Sequence, residues 1–126
     1  MKIAALIILL AAAACPLSLR NMGPNEQFVQ GAWRAAGNLG NEEEASHAWF
    51  LEWKFENGSF EQTGYPPITQ KGKYEVLDDR DDLLRLRLYD QEGTFGKDER
   101  TIEIRIDREQ GTLAIDRTVG FTRLEP

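Results

Sequence analysis

Leu84-Arg85-Leu86-Arg87-Leu88 and Ile102-Glu103-Ile104-Arg105-Ile106 decide the fold. In both stretches every second residue is apolar and those between are charged, the period of a strand with one buried face. A helix would scatter the three leucines around its circumference. The β-branched isoleucines add a preference for extended backbone. Working outward, Trp49, Leu51, Trp53 and Phe55 share one side, with Glu52 and Lys54 on the other. Tyr74 with Val76, and Leu113 with Ile115, repeat the pattern. The sequence therefore reads as strands near 28–35, 48–56, 59–63, 71–77, 84–88, 102–106, 111–116 and 119–125. Asn57-Gly58 is a hairpin signal, and Asp78-Asp79-Arg80-Asp81 and Glu109-Gln110-Gly111 read as further turns. No helical stripe is visible from residue 28 onward, although Asn41 to His47 has room for one turn.

Eight short antiparallel strands, each apolar on one face, form a sandwich or a closed barrel. Tight sequential turns favour an up-and-down order, and closure removes exposed strand edges. The expectation is an all-β fold, an eight-stranded antiparallel up-and-down β-barrel behind an N-terminal signal segment. Trp33, Trp49, Trp53 and Tyr74 are expected chiefly in the core, which makes the barrel largely filled. Arg85, Arg87, Glu103, Arg105 and Asp107 fall on its outer face, where cross-strand charge pairs support register.

Composition narrows the function. The 126 residues suit one domain. Fifteen basic against 21 acidic residues give a net charge of −6, a poor balance for a nucleic-acid partner. Cys15 and His47 are the sole cysteine and histidine, which removes most metal and nucleophile schemes. Ser46 and His47 are sequence neighbours, whose side chains on a strand point to opposite faces and cannot form a dyad. Asp78, Asp79, Asp81 and Asp82 lack the alternating spacing and the glycine of a calcium loop and read as a solvated turn. Glu42 to Glu44 read as a charged loop. No enzyme activity, cofactor or metal is expected.

Residues 1–15, MKIAALIILLAAAAC, place Lys2 before an apolar run from Ile3 to Ala14. That run is shorter than the roughly 20 residues a membrane-spanning helix needs, and small residues follow the bulky ones as in a cleavable export signal. Ala12-Ala13-Ala14-Cys15 resembles the lipobox of bacterial lipoproteins, although Ala12 stands where that motif usually has Leu. The resemblance implies lipidation of Cys15 and a membrane anchor, the alternative being ordinary cleavage after Ala14. Either way the destination is the cell envelope or periplasm, and loss of residues 1–14 leaves 14 basic against 21 acidic side chains, a charge of −7. Residues 16–26 then form a tether, and residues 27–126 form the domain.

The connections are uneven. In a meander alternate connections share one end, and the first (36–47), third (64–70) and fifth (90–98) read as longer than the rest. They outline a mouth with His47, Tyr65, Pro66, Pro67, Ile68 and Phe95 as its lining, over a floor of Trp49 and Trp53. The expected occupant is a small apolar molecule; the alternative is an exported protein bound by an inhibitor or accessory subunit.

Gly31-Ala32-Trp33 resembles the G-x-W start of lipocalins and of shorter bacterial lipocalin-like domains of the calycin type. The resemblance implies an Arg from the last strand packed across that Trp, and Arg123 holds the matching place. Such a cation–π contact is worth about 1 kcal/mol, more when shielded from water. Val119 and Phe121 are expected on the same face as Arg123. Small exported protease inhibitors of bacteria share a similar barrel and start, which is the analogy behind the alternative function.

Overall fold

The computed structural model describes residues 21–38 and 48–124. The segment expected to be an export signal, Cys15 and His47 lie outside them. A short helix, α1 (Pro24–Val29), precedes eight strands: β1 (Gly31–Asn38), β2 (Ala48–Glu56), β3 (Ser59–Tyr65), β4 (Ile68–Arg80), β5 (Leu83–Gly93), β6 (Arg100–Asp107), β7 (Thr112–Ile115) and β8 (Thr118–Arg123). They close in sequence order into an antiparallel barrel, β8 returning to β1 through Trp33↔Arg123 and Arg34↔Thr122. The alternation decides what fills it. Leu84, Leu86, Leu88, Ile102, Ile104, Ile106, Leu113 and Ile115 all point inward and are buried. Their charged neighbours pair outside, Arg85 with Glu103 at 3.0 Å and Arg87 with Glu75 and Glu99 at 2.7 and 2.8 Å. Trp33, Trp53, Phe55, Phe60, Tyr74 and Phe121 complete the core. Each large apolar side chain taken fully from water contributes about 1.5–3 kcal/mol.

Four expectations need correction. Strand β1 starts at Gly31 rather than near residue 28, because residues 24–29 are helical. Pro24 supplies the first-turn φ of α1, and the segment is too short to show the repeating apolar stripe by which a helix is recognised. The tether drawn over 16–26 accordingly loses its last residues to the domain, since Asn25 and Glu26 are buried. Strand β4 is longer than 71–77, and an extra residue at Leu77 shifts its register against β5. That bulge exposes Leu77 and lets Asp79, read from sequence as part of a solvated turn, reach α1 instead. Val119 is 72% exposed rather than on the inner face, beside Gly120 at φ +85° and a register shift between β7 and β8.

Helix α1 lies across one end of the barrel and is tied to all three tight turns there. Gln30 Oε1 accepts from the Asn57 N–H of the β2–β3 turn. Asn25 Nδ2 donates to the carbonyls of Asp81 and Leu83 at the β4–β5 turn. Arg108, in the β6–β7 turn, donates to Asn25 Oδ1. The Asp79 carboxylate accepts from the backbone N–H groups of Asn25 and Glu26, both at 3.1 Å, supplying the acceptor that the first helical turn lacks. Gly23 is needed beside it, since a Cβ there would collide with that carboxylate. Buried Glu26 accepts from the Tyr74 hydroxyl at 2.8 Å, and Gln30 Nε2 donates to the same hydroxyl at 3.0 Å.

At the seam, Gly31 takes φ +111° to turn the chain from α1 into β1. Trp33 Nε1 donates to the Val29 carbonyl at 2.9 Å. The Arg123 guanidinium lies 4.2 Å from the Trp33 ring centroid and donates to the carbonyls of Phe28 and Gln30. One arginine thus joins the last strand, the first strand and the end of the helix.

Candidate functional site

Opposite α1, the barrel end is framed by Pro66-Pro67, residues 94–99 and the Asp116-Arg117 turn. Residues 39–47, and with them the expected rim residue His47, lie outside the described residues. The third connection is not the long loop expected over 64–70. Strands β3 and β4 run to Tyr65 and from Ile68, leaving only the two prolines after a cis Tyr65–Pro66 bond. Gly64↔Ile68, inside the stretch expected to be loop, is a paired ladder position. The fifth connection shrinks from 90–98 to 94–99, because β5 continues past a register shift near Asp90 to Gly93.

Of the residues expected to line the mouth, Tyr65 and Phe95 are 53% and 51% exposed and stand on its rim. Trp49 is half-buried against the core, its indole over Gly37, where a Cβ would come within 2.9 Å of Nε1. Trp53 is 3% exposed and stacks on Phe55 at 5.6 Å, with Phe60 at 5.8 Å. It belongs to the core, with only its upper surroundings turned toward this end.

Those surroundings are polar. Gln62 on β3, Gln70 on β4 and Gln91 on β5 are all buried, and Arg100 opens β6 beside them. Two of the glutamines fasten the 94–99 connection. Gln70 Oε1 accepts from the Phe95 N–H at 2.9 Å and its Nε2 donates to the Gly96 carbonyl at 2.9 Å. Gln91 Nε2 donates to the Asp98 carbonyl at 2.6 Å. The third, Gln62, accepts from Arg100 Nη2 at 2.9 Å. The Arg100 guanidinium also lies over the rings of Phe95 and Trp53, at 5.3 and 5.8 Å.

Arg100 Nε is buried and has no hydrogen-bond partner. Leaving such a donor unmade costs about 1–3 kcal/mol, more for a charged group. Burial pulls the guanidinium below its ordinary pKa, and the charge of Asp116 acts in the opposite direction. The group stays protonated at any physiological pH.

Arg100 and the three glutamines were not singled out in the sequence, although parity carried part of the signal. Arg100 shares its parity with Ile102, Ile104 and Ile106, Gln62 with Phe60, and Gln70 with Tyr74. Gln91 was not legible that way, since the extra residue near Asp90 reverses the parity of β5.

Elsewhere, a surface hollow of about 290 Å³ between β3, β4 and β5 is ringed by exposed charges, with Lys71–Glu92 and Lys73–Asp90 paired across it. Among the described residues no cluster of three or more His, Cys, Asp or Glu side chains is placed to hold a metal ion. No protein-family model, curated protein or solved structure matches the chain.

Proposed function

We propose that the chain is an exported, non-enzymatic binding protein, anchored through a lipid on Cys15, whose barrel takes a small apolar molecule at the end opposite α1. The barrel fold is compatible with ligand binding. The observation that carries the reading is the contrast of the ends: α1 is bonded to three turns at one, while aromatic side chains stand half-exposed on the rim of the other. Half-exposed aromatic rings at an open barrel end offer apolar contact area to an incoming molecule. Trp49 and Trp53 lie beneath that rim and serve as reporters. Titrating the protein with fatty acids, isoprenoids and envelope lipids while following tryptophan fluorescence tests the reading. Saturable quenching, weakened in Tyr65→Ala and Phe95→Ala, is the expected result.

A second reading, an inhibitor or accessory subunit of an exported enzyme, draws on the same rim. Gln70 and Gln91 hold residues 94–99 in a defined shape, and that rigidity lowers the entropy lost on docking to a protein. No response to any apolar ligand, with an exported protein retained from envelope extract, favours it. The anchor is tested separately: Cys15→Ser is expected to leave the membrane fraction, and unchanged partitioning removes lipidation from the proposal.

A further inference from the structure

We infer that the molecule taken at the open end is an amphiphile with a carboxylate head, and that Arg100 is the residue that receives this head. The inference rests on the ligand-binding reading and adds the chemical class of the ligand.

Three observations converge on Arg100. First, its Nε is buried and unpartnered, while Nη2 is held by Gln62. A guanidinium is planar and offers its donors in a fixed fork that matches a carboxylate. Anchoring one nitrogen sets the orientation of the fork and leaves Nε–H without an acceptor. Second, among the described residues Arg100 has no ion pair, in a chain with 21 acidic side chains. The arginines of the neighbouring strand β5 do: Arg85 and Arg87 are both paired with glutamates on the outer face. Asp116 acts on Arg100 only through space. A cation turned inward, away from this supply of partners, retains its charge for an acceptor from outside. Third, the apolar groups surround the cation rather than lie apart from it. The rings of Phe95 and Trp53 flank the guanidinium, and Phe95 is half-exposed on the rim. A head on Arg100 therefore leaves an attached alkyl chain in contact with aromatic surface.

Charge at a distance does not favour this ligand, since the chain is net negative. Recognition has to be local, which one partly buried cation fixed by Gln62 beside two aromatic rings supplies.

The test compares two chains of equal length, dodecanoate and dodecanol, titrated into the purified full-length protein at pH 8 with tryptophan fluorescence as the readout. Dodecanoate is expected to bind about tenfold tighter or more, as a charge-assisted hydrogen bond requires. In Arg100→Gln that ratio is expected to fall to about one. Equal affinities in the unaltered protein, or a ratio that persists in Arg100→Gln, overturn the inference while the ligand-binding reading stands. Failure of both compounds to bind overturns that reading and the inference together. Should Arg100→Gln not fold, judged by its far-ultraviolet circular dichroism, the ratio in the unaltered protein decides alone.

Discussion

The two ends of the barrel bury polar groups in different ways. At the α1 end, the Asp79 carboxylate, the Asn25 amide, Gln30 and the Tyr74 hydroxyl are each matched with partners from another segment. At the other end the glutamines are matched, yet Arg100 is left with an unpartnered nitrogen beside two aromatic rings. A matched network rigidifies and specifies a fold. An unmatched charge destabilises it and is retained where something else supplies the partner. The comparison thus separates an end closed by matched bonds from the end proposed to receive the ligand, within a single wall of strands.

The largest effect is expected at the α1 end. Asp79→Ala removes the acceptor of two backbone N–H groups of α1 and should cost about 3 kcal/mol, read from urea or thermal unfolding. A loss below about 0.5 kcal/mol would mean that α1 is held by Val29 and Phe28 packing alone.

Tyr74→Phe should cost less, about 1.5–2 kcal/mol at neutral pH, because buried Glu26 loses one donor. It also carries a pH signature. Burial pushes the Tyr74 phenol above its ordinary value; the bond to Glu26 adds to the shift and the one from Gln30 opposes it. A group whose folded pKa is raised contributes stability that is fully present below its unfolded pKa, about 10 here. That contribution is lost as pH climbs from there through the folded value. The unaltered protein should therefore weaken above about pH 10 more steeply than Tyr74→Phe does. Parallel curves would show that Tyr74 ionises equally easily in both states.

The smallest effect on stability belongs to the open end. Phe95→Ala should change unfolding free energy by no more than about 0.5 kcal/mol, since its ring is half-exposed and its loop is held through backbone groups by Gln70. The same variant is expected to weaken ligand binding. A large loss of stability would make the rim part of the structural core and remove the contrast between the ends.

How much of this was legible follows from range. Alternation is local, and it identified the inner wall from Leu84 to Leu88 and from Ile102 to Ile106, the Asn57-Gly58 turn and the closed meander. The contact of Trp33 with Arg123, residues 90 positions apart in the chain, came instead from the resemblance carried by Gly31-Ala32-Trp33, since alternation alone pairs no residues so distant. Of the candidate site, the sequence reading named only the aromatic residues, Pro66, Pro67, Ile68 and His47. Trp49, Tyr65 and Phe95 stand at the open end, while Arg100 and its glutamines escaped notice because charged and amide residues near a strand end read as solvent-facing.

The sequence by itself determined the strand period, the sidedness of each strand and the order in which tight turns pair them, because these depend on neighbours two to four residues apart. Tertiary structure decided the rest. Whether Pro24–Val29 is a tether or a plug depends on Asp79, Asn57 and Arg108, which only closure of the barrel brings to it. Whether Asp79 caps a helix or solvates a turn depends on a bulge at Leu77 that no local pattern announces. Whether Arg100 is a surface charge or one half-buried against the interior depends on the far wall, since Gln62 and Trp53 come from strands that meet it only across the closed interior.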